Sequence, residues 1–120
     1  MTRNVLRSRF LKMGWQVDAA ATVGEALALL DSEPAPCCLI LDVELPDGTG
    51  DEVLDKIRNL NLKTKVLVST GTTDLDKLEA MIRLKPDGFL PKPMTPQFAL
   101  EDVGRDCPYE SLGMVHPSAH

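Results

Sequence analysis

Residues 37–42 read Cys-Cys-Leu-Ile-Leu-Asp, and they decide the fold predicted for this 120-residue chain. Five small or apolar residues follow one another without a break and end at the carboxylate of Asp42. A short apolar run bounded by turn formers is typical of a parallel strand that is buried on both faces. An Asp at the carboxyl end of such a strand lies where open α/β sheets place their chemistry, although an Asp that merely caps the next turn has the same pattern.

The composition indicates one α/β-sized domain with an aliphatic core, since 43% of the residues are hydrophobic and 4% are aromatic. A net charge of −5 argues against binding to nucleic acid or to an anionic membrane. No apolar run approaches the roughly 18 residues that span a bilayer, and the N-terminus has no signal-peptide pattern. We therefore expect a cytoplasmic protein.

The three cysteines do not form a recognisable framework. Cys37 and Cys38 are adjacent on a predicted strand, point to opposite faces and cannot easily bridge each other, and Cys107 is distant in sequence. The spacing fits neither a set of disulfides nor a metal site. Buried thiols are the expected state.

Helices and strands alternate strictly along the chain. The patterns predict helices at about 3–13, 22–32, 50–60, 74–84 and 95–103, and strands at 15–20, 37–42, 65–70 and 89–90. The helical periodicity places Met13, Leu75 and Ile82 on buried faces. Such alternation requires a parallel sheet with helices on both faces, and the strand at 15–20 is expected at its edge.

Three predicted strands end in polar side chains, namely Asp42, Thr70 and Lys92. Parallel strands bring these ends to one edge of the sheet. A carboxylate, a hydroxyl and an ammonium group at that edge suit a transferable anionic group, with Asp42 as the nucleophile that carries a phosphoryl group. Lys92 and Thr70 then contact phosphoryl oxygens, and Gly71 allows its backbone N–H to approach closely. Each residue taken singly also fits a solvated loop or a helix cap.

These motifs resemble the response-regulator receiver domain of two-component signalling. The residues that carry the resemblance are 39–50, 66–71 and 87–93, in the order and spacing of that family. The resemblance implies a flavodoxin-like, doubly wound parallel sheet and a signalling domain that is not an enzyme. It extends over a domain at 1–105, which leaves 106–120 as a C-terminal tail.

The same resemblance implies roles for individual residues. Asp42 is the phosphoacceptor, Thr70 and Lys92 contact the phosphoryl group, and Phe89 is the aromatic switch residue. A backbone carbonyl of Glu44 and the Asp42 carboxylate contact Mg²⁺, and the Lys92–Pro93 peptide bond is cis.

Partners also follow from the family. They are a sensor histidine kinase or phosphotransfer protein, and an output partner. The output partner binds the face of the family's fourth helix, fifth strand and fifth helix, which correspond here to 74–84, 89–90 and 95–103.

The chain departs from the family at its N-terminus, because the usual first strand and the acidic pair that ends it are absent before residue 3. An internal Met taken as a start, or a gene fragment, is the simplest explanation. Mg²⁺ binding and phosphorylation are therefore expected to be weak. A phosphorylation-incompetent pseudo-receiver that acts as a protein-interaction module remains the alternative function.

Two further classes are weaker. A flavin or nucleotide binder lacks a Gly-rich phosphate loop here, and a haloacid-dehalogenase-type hydrolase needs a second Asp where this chain has Glu44.

The missing strand leaves a slot in the middle of the sheet, between the strands at 15–20 and 37–41. The first of these strands could move over, the tail at 112–115 could insert, or a second chain could pair there. The tail segment is short and broken by a glycine. We expect the second chain, and hence a homo-oligomer, because pairing with another copy needs no redesign of the remaining connections.

Overall fold

The computed structural model describes residues 3–31, 35–70, 75–91 and 111–115. The elements, in chain order, are α1 (Arg3–Lys12), β1 (Gln16–Ala20), α2 (Val23–Leu30), β2 (Cys38–Asp42), β3 (Glu44–Leu45), β4 (Gly48–Thr49), α3 (Gly50–Asn59), β5 (Lys65–Thr70), α4 (Leu75–Arg83), β6 (Gly88–Pro91) and β7 (Ser111–Val115). None of the helices within these ranges has the length and apolar character that crossing a membrane requires. The predicted helix at 95–103 lies outside the described residues.

Five strands form one parallel sheet in the order β1-β7-β2-β5-β6. Strands β3 and β4 form a short antiparallel hairpin directly after β2. The parallel α/β prediction is confirmed, and β1 lies at the edge of the sheet as expected. Parallel pairing brings the carboxyl ends of β2, β5 and β6 to the same side of the molecule.

Strand β7 occupies the slot between β1 and β2. Its residues pair with β1 from Gln16↔Ser111 to Ala20↔Val115, and with β2 from Cys38↔Leu112 to Leu41↔Val115. The expectation that a second chain fills this slot is wrong, because the chain supplies the strand from its own C-terminal segment.

Gly113 was the reason for not expecting a strand in this segment, but glycine is the residue type that fits at this position of β7. A Cβ at Gly113 would lie 2.5 Å from Leu39 Cδ1, inside normal contact distance. The apolar residues around it, Leu112, Met114 and Val115, are all buried. Glycine therefore allows β7 to pack closely against a neighbouring side chain, and the apolar residues account for its stability in the sheet.

The sheet separates two apolar clusters. The larger one contains residues of α2, α3 and α4 packed on Leu39, Leu41, Val66 and Val68. The smaller one contains Phe10 of α1, Trp15 and side chains from one face of β2, β5 and β7. These strand residues are Cys38, Ile40, Leu67, Leu112 and Met114. Alternate residues of each strand thus serve opposite cores.

Three side chains predicted to be buried are exposed instead. Met13 is 54% exposed, Leu75 76% and Ile82 52%. Met13 follows the last residue of α1 and Leu75 is the first residue of α4, so both lie at helix ends beyond the packed turns. Met81 is the residue of α4 that is fully buried, and Ile82 is the next residue around the helix.

The cysteines differ from each other in state. Cys38 is buried and is not part of a disulfide, whereas Cys37 is disulfide-bonded. The expectation of thiols throughout is wrong for Cys37. Its backbone N–H donates to Ser111 Oγ at 3.0 Å, and its sulfur lies 3.2 Å from the Ser111 carbonyl oxygen. Cys37 therefore lies against the start of β7, a proximity that sequence spacing does not reveal.

Candidate functional site at the carboxyl edge of the sheet

Asp42 ends β2, a strand whose residues are all buried. Its own side chain is 6% exposed, which is unusual for a carboxylate. The backbone N–H of Glu44 donates to Asp42 Oδ1 at 3.1 Å and so fixes one carboxylate oxygen. Asp42 is thus a buried, oriented carboxylate at the edge where the sequence placed the site.

Helix α3 begins directly against the end of β2. A Cβ at Gly50 would lie 2.4 Å from the Asp42 carbonyl oxygen, so the close approach requires glycine. The Gly50 N–H donates to the Val43 carbonyl at 2.7 Å. Thr49 precedes the helix as its N-cap, and its N–H donates to Glu52 Oε2 at 3.2 Å. These contacts hold the backbone that follows Asp42 against the start of α3.

The loop between Asp42 and α3 is tied to α2 by the carboxylate of Asp47, a residue that is not among the predicted site residues. Asp47 Oδ1 accepts from Val23 N–H at 2.7 Å and Asp47 Oδ2 from Gly24 N–H at 3.2 Å. The bond from Val23 is the main reason that the pKa of Asp47 lies below its usual value of 3.8. Negative charge suits free N–H groups at a helix start. Asp47 therefore acts as a second cap for α2 and positions the hairpin of β3 and β4.

A surface ion pair joins the same loop to α4. Lys77 Nζ lies 3.6 Å from Glu44 Oε1, and both side chains are well exposed. Exposed pairs of this kind contribute about 0–1 kcal/mol. The contact places α4 next to the residue that holds Asp42 Oδ1.

Strand β5 ends beside Asp42. Its residues pair with β2 up to Asp42↔Ser69, and Thr70 pairs with Pro91 of β6. The backbone thus brings Thr70 to the predicted edge, one residue beyond the level of Asp42. Phe89 lies on β6, paired with Val68, and is 42% exposed. Gly71, Lys92 and the Lys92–Pro93 bond lie outside the described residues.

Two residues of this region were not identified from the sequence, Asp47 and Ser69. Asp47 stands in a turn, where its type alone indicates a local cap and not a contact 24 residues back. Ser69 precedes Thr70 in a run of two hydroxyl residues, and the register between β5 and β2 pairs Ser69 with Asp42. Because side chains alternate along each strand, paired residues of parallel strands lie on the same face of the sheet.

The described residues do not fit a magnesium site built by the protein. Within the described ranges, no group of three or more His, Cys, Asp or Glu side chains is placed to hold a metal ion. Mg²⁺ is usually held by one or two carboxylates, waters and phosphate oxygens, and Asp42 is the buried carboxylate available here. The acidic pair that the family uses is not supplied by β7, whose residues are Ser-Leu-Gly-Met-Val.

Comparisons with known proteins agree on one family. The response regulator receiver domain matches residues 1–103. The Regulator of RpoS from Escherichia coli K12 is 31% identical over 110 residues, which cover 92% of this chain and 32% of that protein. The photosynthetic apparatus regulatory protein RegA of Rhodovulum sulfidophilum is 30% identical over 82 residues, 68% of this chain and 44% of that protein. The chain thus spans less than half the length of these curated relatives.

Solved structures show the same fold. A CheY-like receiver domain protein from Methanospirillum hungatei aligns with a TM-score of 0.75 at 29% identity, covering 84% of this chain and 80% of that one. A BeF3-activated receiver domain of DrrB aligns with a TM-score of 0.67 at 27% identity, covering 87% and 88%.

Proposed function

Because the chain belongs to the response regulator receiver domain family, we propose that it accepts a phosphoryl group on Asp42 from a histidine kinase or phosphotransfer protein. The observation that carries the proposal is the buried Asp42 carboxylate at the carboxyl end of β2, with one oxygen held by the Glu44 N–H. Receiver domains are signalling domains, and phosphorylation is their input.

The chemistry requires an oriented carboxylate. With Oδ1 held by the Glu44 N–H, the Asp42 carboxylate attacks phosphorus and forms the new P–O bond. The P–N bond of the donor phosphohistidine breaks, and its electron pair and a proton remain on the imidazole. The rigid backbone at Gly50 and the Asp47 contacts with α2 keep the carboxylate aligned for this attack. Thr70, Gly71 and Lys92 are the proposed phosphoryl contacts.

The proposed output face includes α4 and β6, and its third element, the predicted helix at 95–103, lies outside the described residues. Leu75, Ile82 and Phe89 are exposed apolar side chains on these two elements, with exposures between 42% and 76%. Leu75 and Ile82 are seven residues apart and so lie on one side of α4, where they supply exposed apolar surface of the kind found at interaction sites. Lys77 links α4 to Glu44 beside the phosphoacceptor, so a change at Asp42 has a short route to this face. We propose that an output partner binds here and that Phe89 responds to phosphorylation.

A pseudo-receiver remains the second candidate, and one observation favours it. The described residues contain no three-carboxylate or mixed cluster for a metal, so the ion that assists the family's reaction is poorly held. In that case the same α4–β6 face binds its partner without phosphate. The cytoplasmic location stays a prediction, whereas the homo-oligomer loses its reason because β7 fills the slot between β1 and β2.

Phosphorylation by acetyl phosphate tests the proposal. Intact-mass spectrometry is expected to detect one added phosphoryl group on the wild-type chain, slowly formed because of the weak metal site. Asp42→Asn is expected to abolish the addition. Asp55→Asn, an exposed carboxylate of α3, is the matched control and is expected to behave as wild type. An unmodified wild-type chain at saturating acetyl phosphate and magnesium would favour the pseudo-receiver.

A further inference from the structure

Ser69 differs from Asp42 and Thr64, the other buried polar side chains in the described part of the chain. It is 3% exposed, and among the residues that the structure describes its hydroxyl has no hydrogen-bond partner. By contrast, Asp42 accepts from Glu44 N–H, and the buried Thr64 hydroxyl donates to the Pro36 carbonyl at 2.8 Å. Buried polar groups are nearly always paired, so an unpaired one requires an explanation.

The sheet register places Ser69 beside the phosphoacceptor. Ser69 is the partner of Asp42 in the ladder between β5 and β2. Ile40 and Leu67, two residues earlier on each strand, both belong to the smaller core, so Asp42 and Ser69 lie on that same face. Adjacent strands are about 4.8 Å apart. The unpaired hydroxyl therefore lies one strand spacing from the carboxylate.

We propose that Ser69 Oγ is a hydrogen-bond donor for the phosphoryl group on Asp42, a proposal that rests on the phosphoacceptor function proposed above. A serine hydroxyl turns freely about its side-chain bond and donates one hydrogen bond. Before phosphorylation the hydroxyl has no described partner. Afterwards it donates to a phosphoryl oxygen, and such a charge-assisted bond is stronger than a neutral one.

The hydroxyl then lengthens the life of the phosphorylated state. In hydrolysis, water attacks phosphorus, the bond between phosphorus and the Asp42 oxygen breaks, and its electron pair stays on the carboxylate. The water's oxygen joins the released phosphate, and a proton enters the solvent. In a loose, metaphosphate-like transition state the phosphoryl oxygens carry less negative charge than in the bound dianion. A donor to those oxygens therefore stabilises the starting state more than the transition state.

A pair of variants of equal shape separates this role from a structural one. Ser69→Thr keeps the hydroxyl, whereas Ser69→Val replaces it with a methyl group. Each full chain is phosphorylated with acetyl phosphate, separated from the donor, and followed by intact mass to obtain the half-life of the aspartyl phosphate. Thermal unfolding of the unphosphorylated chains gives the structural effect of each change.

We expect Ser69→Thr to keep a half-life near that of wild type and Ser69→Val to shorten it by roughly tenfold, the size of one hydrogen bond to a charged group. Ser69→Val is also expected to melt a few degrees higher, because the unpaired hydroxyl is gone. Equal half-lives for the two variants, with different melting temperatures, would overturn the proposal and leave Asp42 as the phosphoacceptor. Failure of all three chains, wild type included, to take up phosphate would overturn the proposed function itself, and this inference with it.

Discussion

Strand β2 has two neighbours of similar geometry and very different origin. On one side β5 pairs over five residues, and on the other β7 pairs over four, both in parallel. Strand β5 follows β2 through α3, which is the usual crossover of an α/β sheet, whereas β7 comes from the last ten residues of the chain. The two positions beside β2 are equivalent in the sheet, but the segments that fill them differ in how clearly their sequences predict a strand.

Removing β7 is expected to have the largest effect. A chain ending at residue 110 loses the pairing on both sides of β7 and the burial of Leu112, Met114 and Val115. Burial of such side chains contributes about 1.5–3 kcal/mol each, against a total stability of about 5–15 kcal/mol for a domain. We expect the truncated chain to lose cooperative unfolding in circular dichroism.

A chain that ends at residue 115 is the control for that truncation and keeps β7. It is expected to unfold cooperatively. Cooperative unfolding of the shorter chain, with an unchanged midpoint, would show that β7 is dispensable and that the two neighbours of β2 are not equivalent.

Gly113 tests the close packing of β7 against Leu39. Gly113→Val introduces atoms where a Cβ alone already lies 2.5 Å from Leu39 Cδ1. Overpacking of this kind typically costs 1–3 kcal/mol, measured as a loss in the free energy of unfolding in urea. Gly24→Ala is the contrasting change, because a Cβ there meets its nearest atom at 3.8 Å and alanine favours the helix by about 0.5–1 kcal/mol. The free energy of unfolding is expected to fall for Gly113→Val and to rise for Gly24→Ala. An unchanged free energy of unfolding for Gly113→Val would contradict the packing of β7.

Val68 and Val115 provide a matched test of the two neighbours. Both pair with Leu41, one from each side, and both are buried. Truncation to alanine removes two methyl groups in each case and is expected to cost about 1–3 kcal/mol. Similar losses in urea unfolding would make β7 a core strand of equal standing with β5. A large loss in the free energy of unfolding for Val68→Ala, with no loss for Val115→Ala, would show that β7 contributes less to the core than β5 does.

The contrast between β5 and β7 also explains how far the sequence could predict this molecule. Residues 66–68 are an apolar run of Val-Leu-Val that is followed by hydroxyl residues and Gly71, so β5 was predictable from the local pattern. Residues 111–115 have a glycine at their centre, and glycine has a low propensity for strands. The structural reason for this glycine is its close approach to the side chain of Leu39, which is distant in sequence. When a residue type is required by a contact with a distant part of the chain, the neighbouring sequence does not reveal the requirement.

The candidate site divides in the same way. Asp42 follows its strand immediately and was identified from the local run, as was the N-cap at Thr22, whose side chain accepts from Glu25 N–H. The role of Asp47 depends on α2, and the place of Ser69 depends on the register between β2 and β5. Contacts between elements that are distant in sequence cannot be derived from the spacing of residues along the chain.

The smallest expected effect is at Asp47, an exposed side chain on the loop after Asp42. Its pKa is lowered in the folded state, so the carboxylate favours folding above the usual value of 3.8, and the contribution disappears as the pH falls through the lower, folded-state pKa. Asp47→Asn should therefore reduce stability slightly at neutral pH and match wild type at strongly acid pH. Urea unfolding over this pH range measures the difference. A difference that grows toward acid pH would contradict the assigned contacts with Val23 and Gly24.

Amide hydrogen exchange tests most directly whether β7 is a strand of this sheet, as the account requires. The experiment is run by NMR on the full chain without reductant, so that the Cys37 disulfide stays intact. We predict that the amides of β7 exchange as slowly as those of Ile40 in β2 and Leu67 in β5, through global unfolding. Exchange of the β7 amides at the rate of an unstructured peptide, while β2 and β5 stay protected, would contradict it.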